Sequence, residues 1–365
     1  MADGFDVSLG RHLFSGLIWS TRGLQKKLSN LETDMADEAL EGISVTAPVY
    51  VSGLARSGTT ILLECIADHP SIGTHHYADF PALFTPIWWN RFLELTPRAE
   101  VEAAERAHKD GIMVTPDSPE AMEEMLWMSF FDAAHDPKRS NLITKADMGG
   151  AFDGFYRDHI RKILAVRGRT RYAAKGNYNL ARFSYLKGLF PDARFIVPVR
   201  DPVNHIASLM KQHRLFNEAC ENNPRALAHL ARVGHFEFGP DRKPIHLGDD
   251  AATQRVLDLW AQGREVEGWA HYWASIHAHV AAMRDDEALA GSILVIRYED
   301  LCDHSAATAE ALLGHAGLED GDGFLSKWSE KFHRPSYYAP KFTEAEIDQI
   351  RTITAEAGAA FGYGA

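Results

Sequence analysis

The segment Gly53–Thr60, which reads Gly-Leu-Ala-Arg-Ser-Gly-Thr-Thr, constrains the fold of this chain more than any other feature. An apolar run of strand character, 47–51, precedes it, and an apolar helical run, 61–67, follows it. A strand, a glycine-rich loop and a helix in this order bring backbone N–H groups together around an anion, and the helix N-terminus adds roughly half a positive charge. The segment therefore predicts a phosphate-binding loop, with a plain glycine turn as the alternative.

The loop differs from that of a nucleoside triphosphatase at the position of the lysine that reaches the β- and γ-phosphates. Gly53 and Gly58 have the spacing of the pattern G-x-x-x-x-G-K-[ST], but Thr59 stands where the lysine belongs. The cation lies earlier, at Arg56, whose planar guanidinium suits oxyanions. Further hydroxyl donors follow it at Ser57, Thr59 and Thr60. No apolar strand ending in a magnesium-binding Asp is recognisable downstream, so the pattern favours a phosphate site that works without a metal.

The composition indicates a soluble globular enzyme of one large domain or two smaller ones. The 365 residues are 45% hydrophobic and 24% charged. A net charge of −12 argues against a general nucleic-acid binder, so an anion site must be a local basic pocket. Three scattered cysteines predict reduced thiols, and neither a signal peptide nor a transmembrane run is evident. These features predict a cytoplasmic protein with no transmembrane segment.

Short apolar runs alternate with helical patterns along the chain. Helices are predicted at 183–190 and 203–213, and the predicted strands are 49–52, 142–145, 172–175, 194–200 and 293–298. This alternation predicts an α/β fold with a P-loop-like central parallel sheet flanked by helices. Ligands bind such sheets beyond the carboxyl ends of the strands. Gly53, Lys175 and Arg200 each stand at such an end, so they are expected to converge.

The rest of the chain surrounds this predicted core. Residues 9–31 predict an amphipathic helix that packs on the domain, with a membrane-surface or partner-binding helix as the alternative; its apolar positions are Leu13, Leu17, Leu24, Leu28 and Leu31. We predict a helical segment over 1–45 and a single α/β domain over 46–365. The stretches 84–135 and 214–268 are predicted as helical or irregular excursions over the active edge, where an acceptor pocket would lie.

A second anion site is predicted after the strand 194–200. Asp201 is suited to cap the helix that follows, and Pro202 suits its first position. Ser208 lies about two helical turns beyond Arg200, so the two side chains could hold one phosphate from two sides. A simple ion pair between Arg200 and Asp201 at the end of the strand is the alternative.

Together the two motifs resemble the sulfotransferase family that uses 3′-phosphoadenosine 5′-phosphosulfate (PAPS). The likeness extends to Phe-Pro-Asp-Ala-Arg-Phe-Ile at 190–196 and to Arg-Tyr-Glu-Asp-Leu at 297–301. It is strongest with the Arg-Ser-Gly-Thr-Thr branch, which includes tyrosylprotein and many bacterial sulfotransferases. The resemblance implies transfer of a sulfuryl group to a hydroxyl or amine of a small-molecule, glycan or peptide acceptor. It also implies that 3′-phosphoadenosine 5′-phosphate (PAP) is the product and that no metal is required.

The resemblance assigns roles to individual residues. The loop 53–60 would hold the 5′-phosphosulfate, and Arg200 with Ser208 would hold the 3′-phosphate. Arg56 would stabilise the leaving phosphate and the sulfate oxygens, and Lys175 would be the second catalytic cation. Further nucleotide contacts are predicted at Tyr298 and Arg334, and more weakly at Lys341.

The general base is expected shortly after the first helix of the domain. The glutamate of the tyrosylprotein branch falls here on Tyr77, so the chain departs from that pattern. Asp79 is the first choice, His76 the second and His75 the third. The alternative for each is a structural cap or a buried histidine.

Two other functions remain open at this stage. A P-loop small-molecule kinase would use ATP and magnesium, and a non-catalytic nucleotide-binding protein would share the fold. A zinc site at His271, His277 and His279 is conceivable, but their spacing does not place all three on one helical face. The acceptor and the oligomeric state are not determined by the sequence.

Overall fold

A parallel five-stranded sheet lies at the centre of the computed structural model, which describes residues 7–96, 102–106, 108–109, 111–321, 323–334 and 340–363. The strands are β1 (Val49–Val51), β2 (Ile72–Gly73), β3 (Ala104–Glu105), β4 (Met113–Val114), β5 (Arg171–Lys175), β6 (Arg194–Val199) and β7 (Ile293–Arg297). The sheet has the order β2-β5-β1-β6-β7, and β3 and β4 form a separate antiparallel hairpin. The predicted α/β class with a central parallel sheet is confirmed.

Helices cover both faces of this sheet. They are α1 (Leu9–Ser20), α2 (Arg22–Met35), α3 (Asp37–Leu40), α4 (Thr59–Ala67), α5 (Pro86–Leu95), α6 (Glu124–Phe130), α7 (Ala151–Arg167), α8 (Phe183–Leu189), α9 (Pro202–Asn222), α10 (Pro224–Val233), α11 (Asp250–Ala261), α12 (Glu265–Asp285), α13 (Tyr298–Asp303), α14 (Ser305–Ala316), α15 (Phe324–Lys331) and α16 (Glu344–Ala359). One apolar core contains residues of α7, α8, α9 and α12, and the other contains residues of α4, α14 and α15. Because both faces are covered, the central strands are continuous apolar runs and do not alternate apolar with polar residues.

Strand register brings three loop ends to one edge of the sheet. Val51 lies beside Lys175 of β5 on one side and beside Ile196 of β6 on the other. The phosphate-loop segment begins two residues after Val51, and Arg200 directly follows β6. The Asp201 side chain accepts a 2.9 Å hydrogen bond from the backbone N–H of Asn204, which caps α9 as predicted.

One strand prediction is wrong, and one strand of the sheet was not predicted. Leu142–Lys145 is not a strand, because Thr144 caps a single 3-10 turn, Lys145–Asp147, with its side chain. The Ile143 N–H bonds instead to the carbonyl of Ala181, in the turn that follows β5. Strand β2 was not predicted, since two residues, Ile72 and Gly73, are too short to form a periodic pattern.

The predicted N-terminal helix is divided at Thr21 into α1 and α2, and most of its leucines do not pack on the domain. Four of the five predicted positions are 47–63% exposed: Leu13, Leu17, Leu24 and Leu31. The buried contacts of α2 are polar, since Lys162 of α7 approaches Glu32 at 3.2 Å and donates to Ser29 at 2.8 Å. These four leucines therefore do not form the packing face; the segment contacts the domain through buried hydrogen bonds, an ion pair and the partly buried Ile18.

The first of the two predicted excursions, 84–135, contains a β-hairpin that was not expected. The stretch 84–135 holds α5, the β3–β4 hairpin and α6, and 214–268 holds the end of α9, then α10, α11 and the start of α12. Parts of two predicted segments lie outside the described residues. They are 1–6 of the N-terminal segment and 97–101, 107 and 110 of the first excursion. Among the described helices, none is long and apolar enough to cross a membrane.

Candidate active site

The loop after β1 has a backbone that requires glycine at two positions. Gly58 has φ of +109°, and a Cβ there would lie 2.9 Å from the ring of Tyr298. A Cβ on Gly53 would lie 2.9 Å from the Ser57 hydroxyl oxygen. Helix α4 begins directly after Gly58, and the first N–H groups of a helix have no intrahelical acceptor. The loop therefore presents backbone donors at a positive helix end.

The second predicted anion site meets this loop in space. A terminal nitrogen of Arg200 donates to the carbonyl of Arg56 at 3.2 Å, and the Arg56 Nε lies 3.4 Å from the hydroxyl of Ser208. The guanidinium of Arg200 also stacks over the Tyr298 ring, 4.7 Å from its centroid. The structure thus brings together Arg56, Arg200, Ser208 and Tyr298, which lie on four different parts of the chain.

Two buried donors in this cluster identify the kind of ligand it fits. Within the described residues, the Nε of Arg200 and the hydroxyl of Ser57 are buried without a hydrogen-bond partner. Buried donors are normally satisfied, so such atoms need an acceptor that the protein itself does not supply. An anion with several oxygens, such as a phosphate, supplies it, and the two arginines would balance its charge.

Two further cations converge on Thr60, in the first turn of α4. The Lys175 Nζ lies 3.0 Å from the Thr60 hydroxyl, and a terminal nitrogen of Arg106 lies 3.1 Å from it. Burial lowers the pKa of Lys175; Arg106 and Arg56 act in the same direction, whereas Glu120 and Glu237 oppose them. Arg106 was not predicted from the sequence, because it stands in the β3–β4 hairpin with no motif around it.

A carboxylate faces these cations from the segment before α6. Burial alone would raise the pKa of Glu120, but Lys175, a hydrogen bond from Tyr77, the backbone N–H of Ala121 and finally Arg106 together hold it below its usual value. The Ala121 N–H donates to Glu120 at 2.6 Å. Glu120 is therefore a stable carboxylate beside the catalytic lysine predicted from the sequence.

A cavity of about 450 Å³ opens from this charged cluster. Its floor is formed by Arg56, Thr60, Lys175 and Glu120, and its apolar wall includes Phe80, Met122, Phe216, Leu230, Val233 and Phe238. Volume and lining are those of a small-molecule site, with a few polar groups set in an apolar surround. The excursions predicted to hold an acceptor pocket supply most of this wall.

A second carboxylate lies on another side of the cavity. Glu237 accepts a 2.9 Å hydrogen bond from the amide of Asn177 and lies 3.1 Å from His235. Glu237 also interacts with Lys175, but its hydrogen-bond and ion-pair partners are Asn177 and His235, whereas both Lys175 and Arg106 act on Glu120. The two carboxylates differ in electrostatic setting although they share one cavity.

The residues predicted as general base are held in structural contacts. Both oxygens of Asp79 accept from Arg167 at 2.6 Å, and one accepts the His76 N–H at 2.8 Å. His75 is buried, lies 3.4 Å from Asp79 and bonds His159 at 3.0 Å. Burial lowers the pKa of His76 to about 4. None of the three is among the residues that line the cavity, so the geometry favours a structural role for them.

Asp79→Asn is expected to lower the free energy of unfolding by about 3 kcal/mol, because it leaves the Arg167 charge without its buried partner. Burial opposes ionisation of Asp79, but His75, Arg167 and the His76 N–H hold its pKa well below the ordinary 3.8. The wild-type advantage is therefore present above pH 3.8 and is lost as the pH falls further. Urea unfolding at pH 7 and pH 3 measures it, with the exposed Asp34→Asn as control. Equal stability of the Asp79 variant and wild type at pH 7 would contradict it.

Other predicted positions lie away from this cluster. Arg334 forms an exposed ion pair with Asp303, and Lys341 is exposed. His277 bonds the carbonyl of Trp273 at 2.7 Å, and His279 bonds that of Leu180 at 3.1 Å. In the part of the chain that the structure describes, no group of three or more His, Cys, Asp or Glu side chains is placed to hold a metal. The nucleotide role of Arg334 stays a prediction.

The fold and the site define an α/β protein with a cluster of cationic and hydroxyl side chains at the carboxyl ends of its parallel strands. A family model described as "Sulfotransferase family" matches residues 48–237, just over half of the chain. The chain therefore belongs to the sulfotransferase family, as the motifs predicted, and this membership supports sulfotransferase activity.

Solved structures of bacterial sulfotransferases resemble this chain. Sulfotransferase STF9 of Mycobacterium avium is 15% identical, with a TM-score of 0.51 over 91% of this chain and 81% of its own. STF1 of Mycobacterium tuberculosis is 15% identical, with a TM-score of 0.46 over 90% and 81%. At this identity the STF9 likeness supports the fold alone. A search of curated proteins finds no significant match.

Proposed function

We propose that the protein transfers a sulfuryl group from PAPS to a hydroxyl or amine of an acceptor held in the cavity. The observation that carries the proposal is the meeting of two anion sites with buried, unsatisfied donors, the hydroxyl of Ser57 and the Nε of Arg200 among the described residues. PAPS carries anionic groups at both ends of an adenosine, so it matches a site with two such arms.

The two arms have separate tasks in this proposal. Backbone N–H groups of the loop 57–60 and the guanidinium of Arg56 would hold the 5′-phosphosulfate at the N-terminus of α4. Arg200 and Ser208 would hold the 3′-phosphate, with Tyr298 supporting the Arg200 guanidinium. Lys175 and Arg106 stand next to Thr60, where the sulfuryl group would leave the nucleotide, and would match the charge that develops there.

Glu120 is proposed as the general base in place of Asp79. It lines the cavity beside Lys175, whereas Asp79 is committed to Arg167. In phosphoryl transfer, which has a similarly loose in-line transition state, an Asp accepts the hydroxyl proton while cations stabilise the transferred group. Glu120 would take the acceptor proton as the new oxygen–sulfur bond forms, and the bond to the departing 5′-phosphate would break on the opposite side of the sulfur.

A calorimetric titration tests the donor assignment against the kinase alternative. PAP is expected to bind without magnesium, and ATP is expected to bind much more weakly with or without it. The reason is that Thr59 replaces the lysine that reaches the β- and γ-phosphates in triphosphatases. Tighter, magnesium-dependent binding of ATP would contradict the proposal.

Arg200→Ala is expected to weaken PAP binding by roughly 10- to 100-fold, which corresponds to loss of one or two charge-assisted hydrogen bonds. Binding of adenosine 5′-phosphate, which lacks the 3′-phosphate, should change little. Parallel titrations of both nucleotides measure the difference. Arg194→Ala, at the opposite end of the same strand, is the matched control and should alter neither affinity. Equal losses for both nucleotides would show that Arg200 only supports the loop.

A further inference from the structure

Helix α1 presents its apolar side chains to solvent. Leu9, Leu13 and Leu17 recur every fourth residue and share one face with Phe14, and all four are at least half exposed. Leu24, near the start of α2, is also exposed. We call these five residues the N-terminal stripe. A helix that packs on a soluble domain normally turns its apolar face inward, so this arrangement is reversed.

The contacts of α1 with the rest of the chain combine the partly buried Ile18, which packs against the core, with polar bonds. Ser15 is the buried residue of the helix, and Arg232 of α10 donates to its hydroxyl at 3.0 Å and to the carbonyl of His12 at 2.8 Å. Gly16 packs against the same guanidinium. Because Ile18 and these polar bonds attach the helix on this side, the N-terminal stripe is left available for another partner.

The charge of this segment is opposite to that of the whole chain. Residues 8–27 contain Arg11, Arg22, Lys26 and Lys27 and no Asp or Glu, whereas the chain as a whole carries −12. Lys26 is bound to the Ser129 carbonyl at 3.0 Å, but Arg11 and Lys27 are exposed. Acidic residues stand on both sides of the segment in the sequence, with Asp3 and Asp6 before it and Asp34, Asp37 and Glu38 after it. A basic, apolar surface on an acidic body complements an anionic lipid surface.

We propose that residues 8–27 dock on an anionic bilayer, with the N-terminal stripe at the boundary between headgroups and acyl chains. A second copy of the chain fits this surface less well, because a symmetric contact would set two basic segments against each other. Moreover, α1 has 12 residues and is about 18 Å long, which is short for the roughly 800 Å² per partner of a stable dimer.

The docking surface adjoins the cavity. Val7 and Arg11 belong to the cavity lining and lie two residues before and two residues after Leu9, the first residue of the N-terminal stripe. Docking would therefore set this side of the cavity against the lipid surface. The proposal is independent of sulfuryl transfer, since it depends only on the exposed apolar side chains and the basic charge of residues 8–27.

Vesicle flotation with the full chain tests the proposal. Vesicles of phosphatidylcholine alone and of phosphatidylcholine with about one-third phosphatidylglycerol are compared at low and high salt. We expect binding to the anionic vesicles that weakens with salt, and little binding to the neutral ones. Leu13→Gln combined with Leu17→Gln should reduce binding roughly tenfold or more, because it removes apolar area from the stripe.

The control is Leu95→Gln at the end of α5, which replaces a leucine that is 84% exposed outside the surface and should keep full binding. Circular dichroism confirms that the variants are folded, as expected for exposed positions. No binding to either vesicle, equal binding to both, or equal losses for the control and the double variant would each overturn the proposal. So would a wild-type dimer in sedimentation that the double variant converts to monomer without any effect on vesicles.

Discussion

Glu120→Gln is expected to lower kcat by roughly 10³-fold, the middle of the range for loss of a general base. The amide keeps the size of the side chain but does not accept the hydroxyl proton. Affinity for PAP should stay the same or rise a few-fold, because Glu120 partly neutralises the positive charge of Lys175 and Arg106. Loss of turnover without loss of nucleotide binding would separate a chemical role from a structural one.

Glu237→Gln is the matched control for Glu120, because both carboxylates line the same cavity. Steady-state kinetics with a hydroxyl acceptor, together with PAP titration, should show only a small change for Glu237→Gln. A larger kcat loss for Glu237→Gln than for Glu120→Gln would move the base to Glu237. Since the pKa of Glu120 lies below 4.5, the wild-type activity that depends on its ionisation should fall only in more acidic solution.

Lys175→Met is expected to lower kcat by roughly 10²- to 10³-fold, the usual loss when one preorganised donor to a developing charge is removed. Met keeps most of the aliphatic stem, so the packing at the end of β5 is retained. The Nζ lies 3.0 Å from Thr60, at the start of the helix that would receive the sulfuryl donor. The loss should therefore appear mainly in turnover, because the 5′- and 3′-phosphates of PAP have their own partners.

Single-turnover kinetics and PAP titration measure these two effects of Lys175→Met separately. Lys138→Met removes an exposed lysine outside the cavity and should leave both unchanged. If Lys175→Met reduced PAP affinity as much as turnover, the lysine would bind the nucleotide instead of acting on the transferred group. An unchanged kcat would remove Lys175 from the catalytic group.

The sequence predicted four of the five strands of the sheet, and the convergence of the loop and Arg200 at one edge, because both depend on local patterns. The strand, glycine loop and helix around Gly58 are contiguous in sequence. The run Arg200-Asp201-Pro202 likewise indicates where β6 ends and where α9 begins. Their convergence follows from parallel topology alone, which places carboxyl ends on one edge. The contact between Arg200 and the Arg56 carbonyl was not predicted, because strand order does not determine individual side-chain contacts.

Other parts of the site depend on tertiary contacts that no local pattern records. Arg106 reaches Thr60 from a hairpin of two-residue strands, and Glu120 precedes α6 in a stretch without periodicity. Asp79 was preferred as base for its position in the chain, but the structure pairs it with Arg167, 88 residues later. The leucine spacing of 9–31 correctly indicated helix, yet spacing does not tell which face turns inward.

Transfer of label from two alternative donors, supplied separately, tests the central claim most directly. The protein is incubated with one panel of phenols, hydroxylated lipids, glycans and peptides, once with PAPS labelled on sulfur and once with ATP labelled on its γ-phosphate plus magnesium. The account predicts a sulfated product from PAPS in the absence of magnesium, with PAP formed in equal amount and much less product from Lys175→Met. A phosphorylated product from ATP, with no sulfated product from PAPS, would contradict it.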